Sequence, residues 1–250
     1  TDSVMQAYSG LMTATRDSAG MPMRAGLLVI DISTGLYAFQ AVSAALYRKA
    51  MHGKGKYIAT SLMEAIGAFQ APKMIEYVLE GRDLQPLGVP LGTFEAKDGY
   101  ININGRRDAH FKALCQAIGH HELIDDPRFA TVAARFENEA ALMPVIRAAV
   151  KKFPVAALHA ALNDGGVLNA PVHDYGDYIG DPHVQSVDAV TWLDHADIGR
   201  IPMPNIPGIA PASGALAHAP LIGEHSREIL SGLGYDDGAI DAMGTNGAVG

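Results

Sequence analysis

A long apolar stretch lies near the start of the chain, at residues 26–51. Four apolar residues, 27–30, follow Gly26 and run into Asp31 and then into small residues. A continuous apolar run of this kind is typical of a strand covered on both faces, as in a parallel α/β sheet. Residues 34–51 are apolar nearly all round, which predicts a helix packed in the interior. Asp31 is therefore predicted to end a buried strand, at the edge where open α/β sheets bind ligands.

The rest of the first 80 residues repeats this alternation. Residues 2–15 have the spacing of a helix, and glycines at 53 and 55 mark a turn. Residues 57–62 are predicted to form a second strand, and residues 63–80 a long helix that is interrupted or kinked near Pro72. Strand, helix, strand and helix in succession favour a parallel sheet. The fold class is thus predicted to be α/β, with a partial Rossmann-like large domain.

The pattern changes after residue 80. Residues 81–87 are rich in turn formers and are predicted to be a linker. A β-hairpin is predicted over residues 92–104, turning at Asp98-Gly99, and three amphipathic helices over 108–118, 138–153 and 154–162. Residues 88–186 are therefore predicted to form a smaller α+β domain inserted into the large one.

The last part of the chain has weaker signals. Alternation over residues 187–207 predicts a second hairpin that turns near Gly199. A final helix is predicted to end near Leu233, with Ile229, Leu230 and Leu233 facing inward, and residues 244–250 are predicted to fray.

Composition narrows the class of protein. The chain has 250 residues, 48% of them hydrophobic, and a formal net charge of −8. These values are typical of a soluble globular protein, and the acidic balance argues against a nucleic-acid surface. No apolar run approaches the roughly 20 residues of a membrane span, and no signal peptide is recognisable at residue 1, so no membrane contact and a cytoplasmic location are expected. Cys115 has helical spacing with apolar neighbours and is predicted to be a core residue.

Familiar catalytic motifs are missing. The chain has no Gly-x-Gly-x-x-Gly fingerprint, Walker A loop or Gly-x-Ser-x-Gly elbow. His120, His121 and Glu122 are adjacent, so they do not share a helix face, and no metal site is expected. What remains is Asp31, with Asp108 and the loop Gly88 to Gly92 as possible companions.

The residues alone leave two roles open for Asp31. Aspartate is a good helix N-cap, and a helix is predicted to begin nearby. An ordinary aspartate carboxylate is also ionised at neutral pH and needs no base to act as a nucleophile. It is a weak nucleophile, so it would require an activated acyl group such as a thioester, and N–H groups to stabilise the oxyanion.

Short stretches in a fixed order carry a resemblance that bears on this choice. The chain resembles the family III CoA-transferases, a group that includes formyl-CoA transferase, carnitine CoA-transferase and the related α-methylacyl-CoA racemases. The matching stretches extend over nearly the whole chain and are residues 2–12, 26–35, 53–56 with 61–62, 125–131, 166–167 with 171–172, 181–182 and 219–225.

The resemblance implies a function for Asp31. It matches the catalytic aspartate of the family, which attacks an acyl-CoA thioester, forms a mixed anhydride and carries CoA to a carboxylic acid. Coenzyme A is then a substrate, and no tightly bound cofactor is implied. The loop from Gly88 to Gly92 falls where some members carry a glycine-rich lid, although Gly92 is equally suited to a strand entry. Asp108 matches an acidic position near the family's active site.

The resemblance also implies an architecture. Residues 1–80 and 187–250 would form the large Rossmann-like domain and residues 88–186 the small domain, in an interlocked homodimer. The chain begins about a third of the way into the family pattern, so it is expected to be a fragment, a truncated product or half of a split enzyme that lacks the N-terminal part and most contacts to the CoA nucleotide.

Three alternatives stay open. The racemases carry a histidine where this chain has Thr1, and the loss of that base favours transfer over racemisation. A non-catalytic subunit that needs a complementary N-terminal chain is the rival from another class. Arg106 and Arg107 are candidates for a clamp on the acceptor's carboxylate, or belong to a solvated loop.

Overall fold

Two units with different packing make up the chain, Thr1–Leu87 and Gly88–Gly250. The computed structural model describes residues 1–17, 20–81, 88–211, 213–214 and 220–249. The predicted linker, residues 81–87, lies outside these ranges except for Gly81, and so does residue 219 of the last family stretch.

The first unit is helical in its described part. Its helices are α1 Asp2–Tyr8, α2 Leu11–Ala14, α3 Val29–His52, α4 Leu62–Phe69 and α5 Ala71–Glu80. Ser61 caps α4, because its hydroxyl accepts a hydrogen bond from the Glu64 N–H. Gln70 separates α4 from α5, and Pro72 lies in the first turn of α5. The predicted interruption near Pro72 is therefore confirmed.

The two strands predicted for this unit are wrong. Residues 26–28 form no strand, Val29 and Ile30 begin α3, and residues 57–61 form no strand either. A parallel strand exists only through hydrogen bonds to neighbouring strands, and residues 1–17 and 20–81 contain only an isolated bridge between Arg16 and Pro22. A short apolar run of Leu, Val and Ile also suits the first turn of a helix, so the pattern alone did not separate the two states.

Helix α3 is mostly exposed, contrary to the prediction of an interior helix. Only Ile30 and Ser33 are buried along its 24 residues, and Phe39 is 70% exposed. Among the described residues, only α3 is long enough and apolar enough to cross a membrane, judged by length and composition. The sequence pattern did not predict such a helix. Core helices of soluble proteins pass the same test, so the test by itself assigns no membrane role.

The second unit is built around a three-stranded antiparallel sheet. Strands β1 Leu91–Glu95 and β2 Tyr100–Asn104 form the predicted hairpin, and β3 Leu168–Pro171 adds to the other edge of β2. The helices between β2 and β3 are α6 Asp108–Ala117, α7 Val132–Glu137, α8 Glu139–Val150 and α9 Val155–Asp164. Phe94 and Ile101 lie opposite each other in the sheet and join the buried cluster with Phe111, Leu142 and Leu158. The mixed α and β content agrees with the predicted α/β class, whereas the described sheets are antiparallel.

The remaining elements lie beyond β3. They are α10 Tyr175–Gly180, α11 Pro182–Ser186, β4 Val190–His195, β5 Gly199–Pro204, α12 Ser226–Gly232 and α13 Asp237–Thr245. β4 and β5 form the predicted second hairpin. The last predicted helix ends near Leu233 as expected, but Ile229 and Leu233 are exposed rather than inward. The fraying predicted from residue 244 is wrong for Gly244 and Thr245, which are the last residues of α13.

Candidate functional site

Asp31 lies in the first turn of α3 and is exposed. Leu28 holds the N-cap position and makes no capping hydrogen bond through its side chain. Asp31 is therefore the third residue of the helix, and the N-cap role considered for it is wrong. The hydroxyls of Ser33 and Thr34 both donate to the Ile30 carbonyl, at 3.0 and 2.7 Å, so they do not cap the helix either.

The cap of α3 comes from another helix. Asp2, the first residue of α1, is only 3% exposed, and its Oδ2 accepts hydrogen bonds from the Ile30 N–H at 2.8 Å and from the Asp31 N–H at 3.2 Å. These are two of the four backbone donors that a helix N-terminus leaves without an intrahelical partner. Because Asp2 satisfies them, the Asp31 side chain is not needed as a cap.

Gln6 completes this arrangement. It lies one turn after Asp2 on the same face of α1 and is 0% exposed. Its Nε2 donates to Asp2 Oδ1 at 2.6 Å and to the Leu27 carbonyl at 3.1 Å, while its Oε1 accepts from the Ala25 N–H at 2.9 Å. The side-chain amide thus holds the segment that leads into α3.

The environment keeps the Asp2 carboxylate charged. Burial by itself raises the pKa of Asp2, but the hydrogen bonds from Gln6, Ile30 and Asp31 and the positive charge of Arg24 lower it by more. The net effect is a lowered pKa. A buried anion therefore lies at the N-terminus of α3, where the helix dipole favours negative charge.

In the second unit, Arg135 connects Asp108 to the loop that begins at Gly88. Its side chain is fully buried and donates to the Val89, Phe129 and Arg106 carbonyls at 3.1, 3.0 and 2.9 Å. Its Nη2 also donates to Asp108 Oδ1 at 2.8 Å, and its guanidinium lies 4.6 Å from the centre of the Phe111 ring. One arginine thus joins the loop that begins at Gly88 to the start of α6.

The two glycines of that loop have separate structural reasons. A Cβ added to Gly88 would lie 2.3 Å from the Arg106 Cβ, so only glycine fits against Arg106. Gly92 has a φ of +140°, which side chains rarely adopt, and open space around it. The Gly105 N–H also donates to the Pro90 carbonyl at 2.9 Å. Gly88 and Asp108 are thus connected through Arg106 and Arg135, whereas Gly92 pairs with Ile103 in the sheet. The substrate-binding role of Gly88, Gly92 and Asp108 stays a prediction.

Sequence reasoning missed Asp2, Gln6 and Arg135. A polar pair spaced four residues apart on a short helix is a weak signal, because such pairs usually face solvent. A lone arginine in the pattern of α7 is likewise normally read as a surface residue. Arg106 was noted only as a possible clamp, and the structure places its side chain against Gly88 and its carbonyl against Arg135.

Other candidates can be placed directly. Cys115 is buried, as predicted, and burial raises the pKa of its thiol to about 12 even though the Arg135 charge lowers it. The His120 ring and the Glu122 carboxylate lie 2.7 Å apart, and this hydrogen bond lowers the pKa of Glu122. Within the described ranges, no three His, Cys, Asp or Glu residues are grouped to hold a metal ion. The absence of a metal stays a prediction.

Comparison with known proteins adds independent information. The family model described as CoA-transferase family III matches residues 1–226. The chain is 28% identical to succinyl-CoA:glutarate CoA-transferase of Mus musculus over 99% of its own length and 59% of that protein. It is 29% identical to succinate–glutarate CoA-transferase of Agrobacterium fabrum over 93% of its own length and 60% of that protein.

A solved structure has the same fold. The chain is similar to a CaiB/BaiF family protein from Brucella suis, with a TM-score of 0.75 and 28% identity. The similarity covers 93% of this chain and 62% of that one. The chain thus spans about three fifths of the length of the relatives it matches.

Proposed function

This chain belongs to CoA-transferase family III, as the resemblance predicted, and from that membership we propose that its protein moves CoA from an acyl-CoA thioester to a carboxylic acid. The observation that carries the proposal is the exposed Asp31 at the start of α3, where Asp2 has taken over the capping of the helix. A carboxylate that is not engaged in capping is available as a nucleophile.

The relatives support a substrate class. Both curated relatives are named for succinyl-CoA or succinate and for glutarate. We therefore propose a short dicarboxylic acid as acceptor, and the CoA thioester of a different short dicarboxylic acid, such as succinyl-CoA, as donor. CoA is then a substrate, and the reaction needs no tightly bound cofactor.

The proposed chemistry balances through Asp31 alone. The Asp31 carboxylate attacks the donor thioester, giving an aspartyl-acyl anhydride and CoA thiolate. The thiolate attacks the aspartyl carbonyl, which releases the donor's acid and leaves an aspartyl-CoA thioester. The acceptor carboxylate attacks this thioester, forming a second anhydride and freeing CoA thiolate again. The thiolate then attacks the acceptor's acyl carbon, giving the new acyl-CoA and restoring the Asp31 carboxylate.

Each attack creates an oxyanion next to Asp31, which needs hydrogen-bond donors. The Ile30 and Asp31 N–H groups of α3 already donate to the Asp2 carboxylate, so we propose that groups other than these two stabilise the oxyanion. Stabilisation of developing negative charge is usually the largest single contribution to acyl-transfer catalysis.

Further parts of the proposal come from the family. They are the substrate-binding roles of Gly88, Gly92 and Asp108, a large Rossmann-like domain formed by residues 1–80 and 187–250, a small domain at 88–186, an interlocked homodimer and a cytoplasmic location. Arg106, which packs on Gly88 in the same cluster as Asp108, and the adjacent Arg107 are the candidates to bind an acceptor carboxylate.

A transferase assay tests the proposal. The intact protein as its gene encodes it is incubated with succinyl-CoA and glutarate, and glutaryl-CoA is measured by chromatography. We expect transfer in the natural protein and none in Asp31→Ala. Asp237→Ala is the matched control, because Asp237 is also an exposed acid in the first turn of a helix. If Asp31→Ala retains full activity, Asp31 is not the nucleophile.

Two rivals have their own readouts. Thr1 offers no imidazole where the racemases have a histidine, which argues against racemisation. Deuterium incorporation at the α-carbon of an acyl-CoA without CoA transfer would nevertheless identify a racemase. The exposed apolar side chains of α3, including Leu36, Phe39 and Leu46, favour a chain that associates with a complementary one. Size-exclusion chromatography and CoA calorimetry on the 250 residues would show that case as association without CoA binding.

A further inference from the structure

We propose that Asp2 and Gln6 are positioning residues that set the rate at which Asp31 reacts, an inference that rests on the proposed transferase function. Neither residue needs to touch a substrate for this role. Both act through the backbone of the segment and helix that carry Asp31.

The first step in the argument is the burial of two polar side chains. Asp2 and Gln6 are 3% and 0% exposed, and burying a carboxylate and an amide is unfavourable unless each finds hydrogen-bond partners. Within the first unit, most large apolar side chains of α3 stay exposed while these two polar ones are buried. A hydrophobic core alone therefore does not account for them.

The second step is where their hydrogen bonds go. Gln6 holds the Ala25 N–H and the Leu27 carbonyl, and Asp2 holds the N–H groups of Ile30 and Asp31. The contacts therefore fix the backbone on the approach to Asp31 and at Asp31 itself. The hydrogen bond between Gln6 and Asp2 couples the two sets of contacts.

The third step concerns charge. The free N–H groups at the start of α3 attract a carboxylate. In this structure the carboxylate that they bind is that of Asp2 and not that of Asp31. If Asp2 were absent, the Asp31 side chain, the acidic residue of the first turn of α3, would be the carboxylate that the N-terminus of the helix attracts. A capped Asp31 would be less available to attack a thioester. Asp2 thus fixes the backbone that carries Asp31 and leaves the Asp31 carboxylate free of the helix N–H groups.

The size of the expected effect follows from positioning. A misplacement of about 1 Å can cost on the order of 100-fold in rate. We expect Asp2→Asn to lower the first-order rate constant for acylation of Asp31 by roughly 10- to 100-fold. Asparagine keeps the shape, but it loses the charge and turns an N–H group toward either Gln6 Nε2 or the α3 amides.

The test uses single turnovers of the intact protein with excess succinyl-CoA. Acylated or CoA-bearing Asp31 is quantified by mass spectrometry as a function of time. The amplitude reports the folded, competent fraction, whereas the rate constant does not depend on that fraction. A role in folding alone would lower only the amplitude.

Ser61→Ala is the matched control, since the Ser61 hydroxyl also caps a helix of the same unit but forms its hydrogen bonds with Glu64. The proposal predicts a lower rate constant in Asp2→Asn and an unchanged one in Ser61→Ala. Equal rate constants in Asp2→Asn, Ser61→Ala and the natural protein would overturn it. If Asp2→Asn does not fold, Gln6→Met decides by the same rate constant, because it keeps the Asp2 carboxylate and removes only the amide. A natural protein that never labels Asp31 would refute the proposed function instead.

Discussion

Arg135 allows a quantitative prediction about the second unit. We consider Arg135→Met, which removes the guanidinium and keeps an apolar side chain about as long as the aliphatic part of arginine. The substitution breaks four hydrogen bonds of 2.8 to 3.1 Å and leaves the Val89 and Phe129 carbonyls without their arginine donor. A buried acceptor left unsatisfied costs about 1 to 3 kcal/mol of unfolding free energy, so we expect a total of about 2 to 6 kcal/mol for these two carbonyls.

The partner carboxylate behaves differently. The Asp108 side chain is 58% exposed, and an asparagine in its place keeps an Oδ1 that can accept from Arg135 Nη2, so the substitution removes the charge but not the hydrogen bond. An ion pair with a solvent-exposed carboxylate contributes at most about 1 kcal/mol, and we expect Asp108→Asn to cost no more than that. Arg135→Lys is expected to fall between the two, because an ammonium cannot reproduce the fork of donors that reaches three carbonyls and a carboxylate.

Thermal and urea unfolding followed by circular dichroism would measure these differences. For domains of this size, each 1 kcal/mol shifts Tm by roughly 2 to 4 °C, so Arg135→Met should lower Tm by roughly 4 to 24 °C. Two outcomes would refute the reasoning. One is a cost below about 1 kcal/mol for Arg135→Met, and the other is an equal cost for Asp108→Asn, which would make the ion pair rather than the carbonyl network dominant.

Three further predictions follow from individual side chains. Gly88→Ala should destabilise by about 1 to 3 kcal/mol in the same unfolding assay, and Arg106→Ala should not rescue it, because the clash involves the Arg106 Cβ itself. Cys115, with its buried thiol of raised pKa, should react with iodoacetamide at pH 8 only after unfolding, and rapid labelling of the native protein would contradict its burial. Because the pKa of Asp2 is lowered on folding, its contribution to stability is present above its unfolded pKa of about 3.9 and is lost as pH falls through the folded value. Asp2→Asn should therefore lose less stability than the natural protein when acidified below about pH 4, as measured by urea unfolding across pH.

Local signals explain which elements were predictable. The hairpin at residues 91–104 has alternating residues around Asp98-Gly99, and α6 and α8 have a clear apolar face, so each element is specified by its own residues. The second hairpin was found for the same reason.

The start of α3 was harder to predict because its determinants are distant in sequence. Val29 and Ile30 are common strand residues, and what makes them helical here includes a carboxylate 28 residues earlier. That contact also decides the role of Asp31, since a cap supplied by Asp2 removes the need for a local one. No periodicity carries this information, and the ordered family stretches pointed to Asp31 without showing how it is held.

The exposed α3 marks another limit of pattern reading. Its residues are apolar nearly all round, which correctly signals a helix suited to burial, yet its side chains are largely exposed in this chain. Burial depends on what packs against a helix, and the pattern of the helix alone does not specify that partner.

The central claim is that Asp31 carries the acyl group and then CoA, and covalent trapping tests it most directly. The intact protein would be incubated with succinyl-CoA and quenched with hydroxylamine or borohydride, and its peptides analysed by mass spectrometry. We predict a hydroxamate or a reduced side chain at Asp31, dependent on succinyl-CoA and absent from Asp31→Ala. Efficient CoA transfer with an unmodified Asp31 peptide, or modification of a different carboxylate, would contradict the account.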